Sequence, residues 1–316
     1  MWRLRTILSK DEVRARRRFN RLLRAFDTED LAAILKSVQT GGREIKQCAP
    51  GPPMDIKEEL PELDTGLIPQ IDKPMSMPYL CCKLWRWKDL QVDAALHRLD
   101  PLPWCRFGRV TLNNTTVSCC NPYHYALWIV GRCLLLKKKF FFLYFFSAWG
   151  HMYRWSSKKR VDEHGVTLNG EFIAVGLLAD AVHDGQNVCC DWDIQNEVSF
   201  ALIRQPHKEE LSCEEIWLYN SGTKPLFFST ASPFGSQKTE TVRRVSPGYC
   251  YKVHKFYATT PATTMATVKL RQPQVQQQLQ QLVGKGWGDN YQRNTHTDTP
   301  CHYEVIFVPN FNVNNK

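Results

Sequence analysis

Cys119-Cys120-Asn121-Pro122-Tyr123-His124 sets a thiol and an imidazole on either side of a proline turn, with four residues between them. Taken bare, one such pair is weak evidence, but it narrows what the rest of the chain must supply. Zinc binds four nitrogen or sulfur ligands at tetrahedral geometry, so a pair of this kind needs two more donors from elsewhere, and Cys48 and Cys105 are the candidates. The competing reading is a set of buried structural thiols with no metal, since unpaired cysteine behaves as a small apolar residue. A site with four protein ligands is closed and structural. It leaves no position for a reacting water, which argues against a metallohydrolase.

Twelve cysteines in an exported chain would suggest disulfides. The opening MWRLRTILSKDEVRARRRF lacks the apolar core of a secretory signal, so reduced thiols are expected. Its first helix is expected to open at Ser9, with Glu12 closing a capping box. Apolar residues make up 43% and charged residues 23%, a globular balance, and no apolar run reaches the length of a membrane span. The net charge of +10 is concentrated at Arg14, Arg16, Arg17, Arg18, Arg21 and Arg24. That cluster fits either a solvated helix face or a nuclear-import or phosphate-binding surface.

Residues 27–40 predict a helix capped by Asp27 or Thr28, with Leu31, Ile34, Leu35 and Val38 forming its buried stripe and Gly41 and Gly42 ending it. Residues 49–64 are rich in proline and acid and predict loop or edge structure. YLCCKLWRW (79–87) alternates and is aromatic, which predicts a strand. In 131–148, three lysines run directly into seven apolar or aromatic residues, 140–146. Lysine codons are A-rich and phenylalanine codons T-rich, so this run can be written as an A tract followed by a T tract, and the expectation is a translated retained intron.

From Trp149 onward the pattern is mostly β. EIWLYN (215–220) and PLFFS (225–229) predict a hairpin around Ser-Gly-Thr-Lys, and RRVSPGYCYKVHKF (243–256) a strand pair around Pro-Gly. HYEVIFV (302–308) alternates as a strand, while the Gln-rich run 272–283 fits helix or strand. No Ser-His-Asp set, phosphate-binding loop or dinucleotide fingerprint is present to support catalysis.

LWRWKDLQ (84–91), Cys105, Cys119 and NPYHY (121–125) together resemble the zinc-bearing core of the N-terminal Mad-homology domain of Smads. The resemblance implies one structural zinc on Cys48, Cys105, Cys119 and His124, and leaves Cys81, Cys82 and Cys120 as buried thiols. VGKGWGDNYQR (283–293), TPCHYEVIF (299–307) and GEFIAVGLL (170–178) resemble the family's C-terminal domain. IWLYNSGTKPLFFSTAS (216–232) and PGYCYKVHKF (247–256) are closest to its inhibitory branch.

Departures from the family pattern point the same way. The chain ends VPNFNVNNK, without the Ser-Ser-x-Ser that receptor kinases phosphorylate in receptor-regulated Smads. Where DNA-reading Smads place Arg, Gln and Lys, this chain aligns Leu67, Pro69 and Pro74, which cannot make bidentate bonds to base edges. Asp55, Glu58, Glu59, Glu62 and Asp64 would repel phosphates nearby. Lys285, Trp287, Tyr291 and Arg293 match the loop that binds phosphorylated partners in the family, where two cations and a hydroxyl suit charge-assisted bonds. No Pro-Pro-x-Tyr is present, so ligase recruitment through that motif is not expected.

The expectation is an α/β zinc-containing domain over 10–130, a short linker at 131–148, and a mainly-β sandwich with flanking helices and loops over 149–316. The implied function is non-enzymatic: an inhibitory TGF-β-family signalling protein, cytoplasmic and nuclear, competing for activated type I receptor kinases or phosphorylated Smads. A homo- or hetero-oligomer through the C-terminal domain is compatible with it. A co-Smad-like transcriptional partner in DNA-bound complexes is the alternative.

Overall fold

The fold is taken from a computed structural model that describes residues 27–42, 47–51, 54–55, 76–87, 90, 97–108, 110–112, 115–129, 148–182, 185–206, 213–231, 242–257, 278–283 and 301–307, with a few isolated positions before residue 27. The expected helix at Ser9, most of the basic cluster, positions 67–74, the run 131–147, the loop 284–300 and residues 308–316 lie outside the described residues. The chain divides into two compact units, Met1–Gly131 with Ala181–His183, and Arg132–Asp180 with Asp184–Lys316.

In the first unit, helix α1 (Thr28–Gln39) starts where the Asp27 carboxylate accepts the Asp30 N–H at 2.8 Å. Glu29 and Asp30 in its first turn complement the helix dipole. Ala33, Ile34 and Ser37 are buried, but Leu35 is 48% exposed, so the inward stripe is narrower than the periodicity predicts. Gly41 and Gly42, both at positive φ, turn the chain away, and the Gly42 N–H closes on the Ser37 carbonyl at 2.9 Å.

The strand expected at 79–87 is a helix, α2 (Met77–Trp85). Ser76 caps it by accepting the Tyr79 N–H at 3.4 Å, and Pro78 sits in the first turn, where no helical N–H is needed. Met77, Leu80 and Cys81 are buried, with Leu84 packed on the same cluster, which is helical spacing. The segment is apolar at nearly every position, so it satisfies period two as well. The cap and the proline decide for the helix.

Three short strands, β1 (Met54–Asp55), β3 (Val110–Leu112) and β4 (Thr115–Val117), form an antiparallel sheet in the order β1-β4-β3. Strand β2 (His97–Pro101) pairs antiparallel with β5 (Tyr125–Ile129), Leu99 opposite Leu127. Among the described residues, one apolar cluster under the helices gathers Ala33, Ile34, Ala49, Met77, Leu80, Cys81 and Cys120, and Leu99, Leu102, Trp104, Leu127 and Trp128 are buried as well.

The second unit is a β-sandwich. One sheet runs β10 (Gln186–Val188), β9 (Phe172–Gly176), β11 (Ser199–Pro206), β12 (Cys213–Asn220) and β15 (Tyr249–Tyr257). The other runs β14 (Arg243–Val245), β13 (Leu226–Ala231), β16 (Gln278–Val283), β17 (His302–Phe307), β6 (Gly150–Ser156) and β7 (Lys159–Arg160), with β8 (Val166–Leu168) also on β6. Alternate residues of both sheets, among them Met152, Val175, Phe200, Leu218, Phe228 and Tyr303, meet in one apolar core. The Gln-rich run therefore resolves, at 278–283, as a strand.

The hairpin expected at 215–229 does not form, and the two strands expected around Pro-Gly are present but join different sheets. β12 pairs with β11 and β15, whereas β13 pairs with β14 and β16, so the loop between them crosses from one sheet to the other. Asn220 makes the corner. Its buried amide donates to the carbonyls of Lys224 and Val245, both at 2.9 Å, and its side-chain oxygen accepts the Gly222 N–H at 3.0 Å. The Pro247-Gly248 turn is a second crossing, between β14 and β15, and the Gly248 N–H donates to the Asn220 carbonyl at 2.7 Å. One asparagine thus serves both corners, replacing ladder bonds that a hairpin would have supplied.

A short helix, α3 (Asp191–Gln195), is held to the sandwich by a buried ion pair. Arg154 on β6 donates Nε to Asp193 Oδ1 and Nη2 to Asp193 Oδ2, both at 2.7 Å. Asp193 is fully buried and also accepts from the Tyr303 hydroxyl and, at 3.0 Å, from the Cys190 N–H. Arg154 Nη1 reaches Asp162 Oδ2 at 3.0 Å.

Candidate metal centre

The segment 118–125 is built from the outside inward. Ala49 O accepts the Cys120 N–H at 2.7 Å and Phe107 O accepts the Cys119 N–H at 2.8 Å, which fixes where the first thiol points. Asn121 then caps a single turn of 3₁₀-helix, Pro122–His124, by accepting the Tyr123 N–H at 3.0 Å. Its amide donates to Ser37 Oγ on α1 at 2.8 Å and to the Gln47 carbonyl at 3.0 Å. The turn therefore brings His124 back over Cys119, and the same asparagine ties in the strip that carries Cys48.

Cys48, Cys105, Cys119 and His124 converge, their ligand atoms all within 4.8 Å of one another. His124 Nδ1 lies 3.5 Å from Cys48 Sγ and 3.4 Å from Cys119 Sγ. Cys119 and His124 are buried, whereas Cys48 and Cys105 are half-buried. A tetrahedral zinc site with ordinary Zn–S and Zn–N bonds has ligand–ligand edges of about 3.5–3.8 Å, so this donor set fits such an ion.

The electrostatics favour a cation at the centre. Hydrogen bonds from Cys105 and then Cys119 hold the Cys48 thiol far below its ordinary range. Burial disfavours charge on His124, but the thiols of Cys105 and Cys48 outweigh it and lift the imidazole to about 10. Cys105 rises because its proton is held by Cys119 and Cys48, and Cys119 rises first through burial. With protons alone, the cluster concentrates a thiolate and an imidazolium, the charge pattern that a divalent ion replaces as thiols ionise.

The other thiols of this unit stand apart from the cluster. Cys81, Cys82 and Cys120 are wholly buried, and burial pushes all three up, Cys82 to about 12. They are neutral packing groups, and a Cβ added at Gly51 would meet the Cys120 sulfur at 2.7 Å, which shows how close the backbone approaches.

Further groups lie behind the ligands. The Tyr125 hydroxyl donates to the Cys119 carbonyl at 2.7 Å, and the Ala49 N–H approaches Cys119 Sγ at 3.4 Å. Arg86, at the end of α2, donates Nη1 to the carbonyls of Pro122, at 3.1 Å, and Tyr125. An asparagine before proline is a recognisable cap signal, so Asn121 was findable; Arg86 was not, because nothing local pairs it with residues 122–125. Lys285, Trp287, Tyr291 and Arg293 lie outside the described residues.

Comparison with known proteins assigns both halves. An MH1 domain model matches residues 2–129 and an MH2 domain model matches residues 147–308. The chain belongs to the Smad family. Smads are TGF-β signalling and transcription adaptors rather than enzymes, and their MH2 domains interact with receptors and other Smads. Family members shuttle between cytoplasm and nucleus. Among the described residues of this Smad, no helix is long and apolar enough to cross a membrane.

Similar proteins include Mothers against decapentaplegic homolog 7 from Homo sapiens and from Mus musculus, each 22% identical over 283 residues. The Rattus norvegicus form is 23% identical over the same length. Each match covers 73% of this chain, which spans 63% of the length of these relatives. The Cys/His cluster falls within the MH1 match and the sandwich within the MH2 match.

Proposed function

We propose that this chain is an inhibitory Smad: a non-enzymatic adaptor that dampens TGF-β-family signalling by competing for activated type I receptor kinases or phosphorylated Smads. Its MH1 part, 10–130, would hold one structural zinc on Cys48, Cys105, Cys119 and His124. Its MH2 part, 149–316, would carry the partner surface, with 131–148 as the linker.

The observation that carries the branch assignment is the run 216–232. It resembles the inhibitory branch, and it builds β12, the Asn220 corner and β13 rather than a peripheral loop. Likeness to Mothers against decapentaplegic homolog 7 across both domains supports the same reading. So do Leu67, Pro69 and Pro74, which offer no bidentate contact to a base edge. When bound, zinc supplies a rigid cross-link between three separate stretches of chain and no reacting position. Lys285 and Arg293 would take a partner's phosphate, with Tyr291 adding a hydroxyl and Trp287 anchoring the loop.

The test is a binding series against phosphorylated and unphosphorylated receptor segments. The phosphorylated form should bind more tightly, and Lys285→Ala or Arg293→Ala should each cost about 1.5–3 kcal/mol of that affinity. Equal affinity for both forms, or sequence-selective DNA binding that persists at physiological salt, would overturn the inhibitory reading; the second result would favour the co-Smad alternative.

A further inference from the structure

We propose that Arg86 is the positioning residue of the metal centre, setting His124 from the carbonyl side of its own loop. This rests on the zinc reading above and names the group outside the ligand set that holds the ligand loop in shape.

The argument is geometric. Arg86 ends α2, its N–H bonded to the Cys82 carbonyl at 2.9 Å, so its Cα is fixed by the helix. From there one guanidinium nitrogen, Nη1, donates to the carbonyls of both Pro122 and Tyr125. Those carbonyls bracket His124 in sequence. His124 itself is held by its N–H to Asn121 O at 3.1 Å and by the Leu102 N–H to its carbonyl at 2.8 Å. The imidazole is left with Nδ1 directed at Cys48 and Cys119.

The guanidinium also lies against the Trp87 ring, 4.3 Å from its centroid, and 5.1 Å from the centroid of Tyr123. Tyr123 adjoins the ligand, so the cation grips the loop through a ring and two carbonyls at once. A planar guanidinium can stack and donate in fixed directions together; a lysine ammonium, a point charge on a flexible stem, cannot. Groups that orient metal ligands typically change metal affinity by about 10–100-fold when removed.

The experiment compares the full chain with Arg86→Lys, Trp87→Leu and Leu99→Ala. Leu99 is fully buried on β2 and is not a ligand, so its truncation lowers stability without touching the loop carbonyls. Zinc affinity is read by competition with a chromophoric chelator, cobalt substitution reports the ligand field, and melting curves report stability. Arg86→Lys should weaken zinc by about 10–100-fold and shift the cobalt bands. Trp87→Leu should give a smaller loss of the same sign, and keeps the test open if Arg86→Lys fails to fold. Leu99→Ala should keep the wild-type cobalt bands, its zinc affinity falling only as far as its loss of folding stability requires. Wild-type affinity in both Arg86→Lys and Trp87→Leu would overturn the proposal, as would wild-type cobalt bands in Arg86→Lys or the same band shift in Leu99→Ala. Failure of the wild-type chain to bind zinc would instead sink the metal-centre reading itself.

Discussion

The two domains solve the same problem, closing a fold around polar groups, with different means. The MH2 sandwich has a long apolar core drawn from both sheets, and its buried charges satisfy one another: Arg154 and Asp193 form a two-bond pair that Tyr303, Asp162 and the Cys190 N–H complete. Among the described residues, the MH1 unit buries apolar side chains under α1 and α2 and on the β2–β5 pair, and brings together a set of three thiols and an imidazole. A metal on that set would cross-link three separate stretches of chain and add to what burial supplies. One domain carries its counter-charge in its own sequence; the other has a donor set that could take it from a bound metal.

That contrast predicts which domain fails when its polar centre is disturbed. The largest expected effect is metal removal. A strong chelator should unfold the MH1 unit while leaving the sandwich folded, because zinc binding in such sites is folding free energy, about 10–16 kcal/mol in small zinc domains. Hydrogen exchange resolved by segment checks it: residues 28–39 and 119–129 should lose protection while 199–206 and 302–307 keep theirs. Loss of protection in both domains together would break the comparison.

The smaller effect runs the other way. Asp193→Asn leaves Arg154 buried against Asp162 alone and should destabilise the sandwich by about 3–5 kcal/mol, the usual consequence of removing one partner of a buried pair. Metal content should not change. Chemical denaturation followed by Trp fluorescence, with zinc measured in parallel, separates the two readouts, and a change below about 1 kcal/mol would show the pair to be dispensable.

How much of this was legible in the sequence follows the range of the interactions involved. The Asp27 cap, the glycines after α1 and the alternating strand at 302–307 are local, and each was readable from its own few residues. The four converging Cys/His residues were assembled through the family resemblance, since C-x4-H alone names only two of them. Helix α2 was misread because an almost wholly apolar segment fits both periods, and the deciding signal, Ser76 with Pro78, sits ahead of it. The crossing at 221–225 reads as a hairpin, and the strands around 247–248 as a pair, because turn residues specify a bend, not which sheet the next strand joins. That choice is made by Asn220 reaching Val245, twenty-five residues away. Arg154 with Asp193 and Arg86 with the 122–125 loop are of the same long-range kind.

The central claim is that the MH1 domain is organised around one metal ion on Cys48, Cys105, Cys119 and His124. X-ray absorption at the zinc edge, with elemental analysis of the purified full chain, tests it most directly. The account predicts one zinc per chain with three sulfur ligands near 2.3 Å and one nitrogen near 2.0–2.1 Å, distances usual for such sites, and loss of the nitrogen scatterer in His124→Ala. No stoichiometric zinc, or a four-sulfur shell that survives Cys48→Ser, would contradict it.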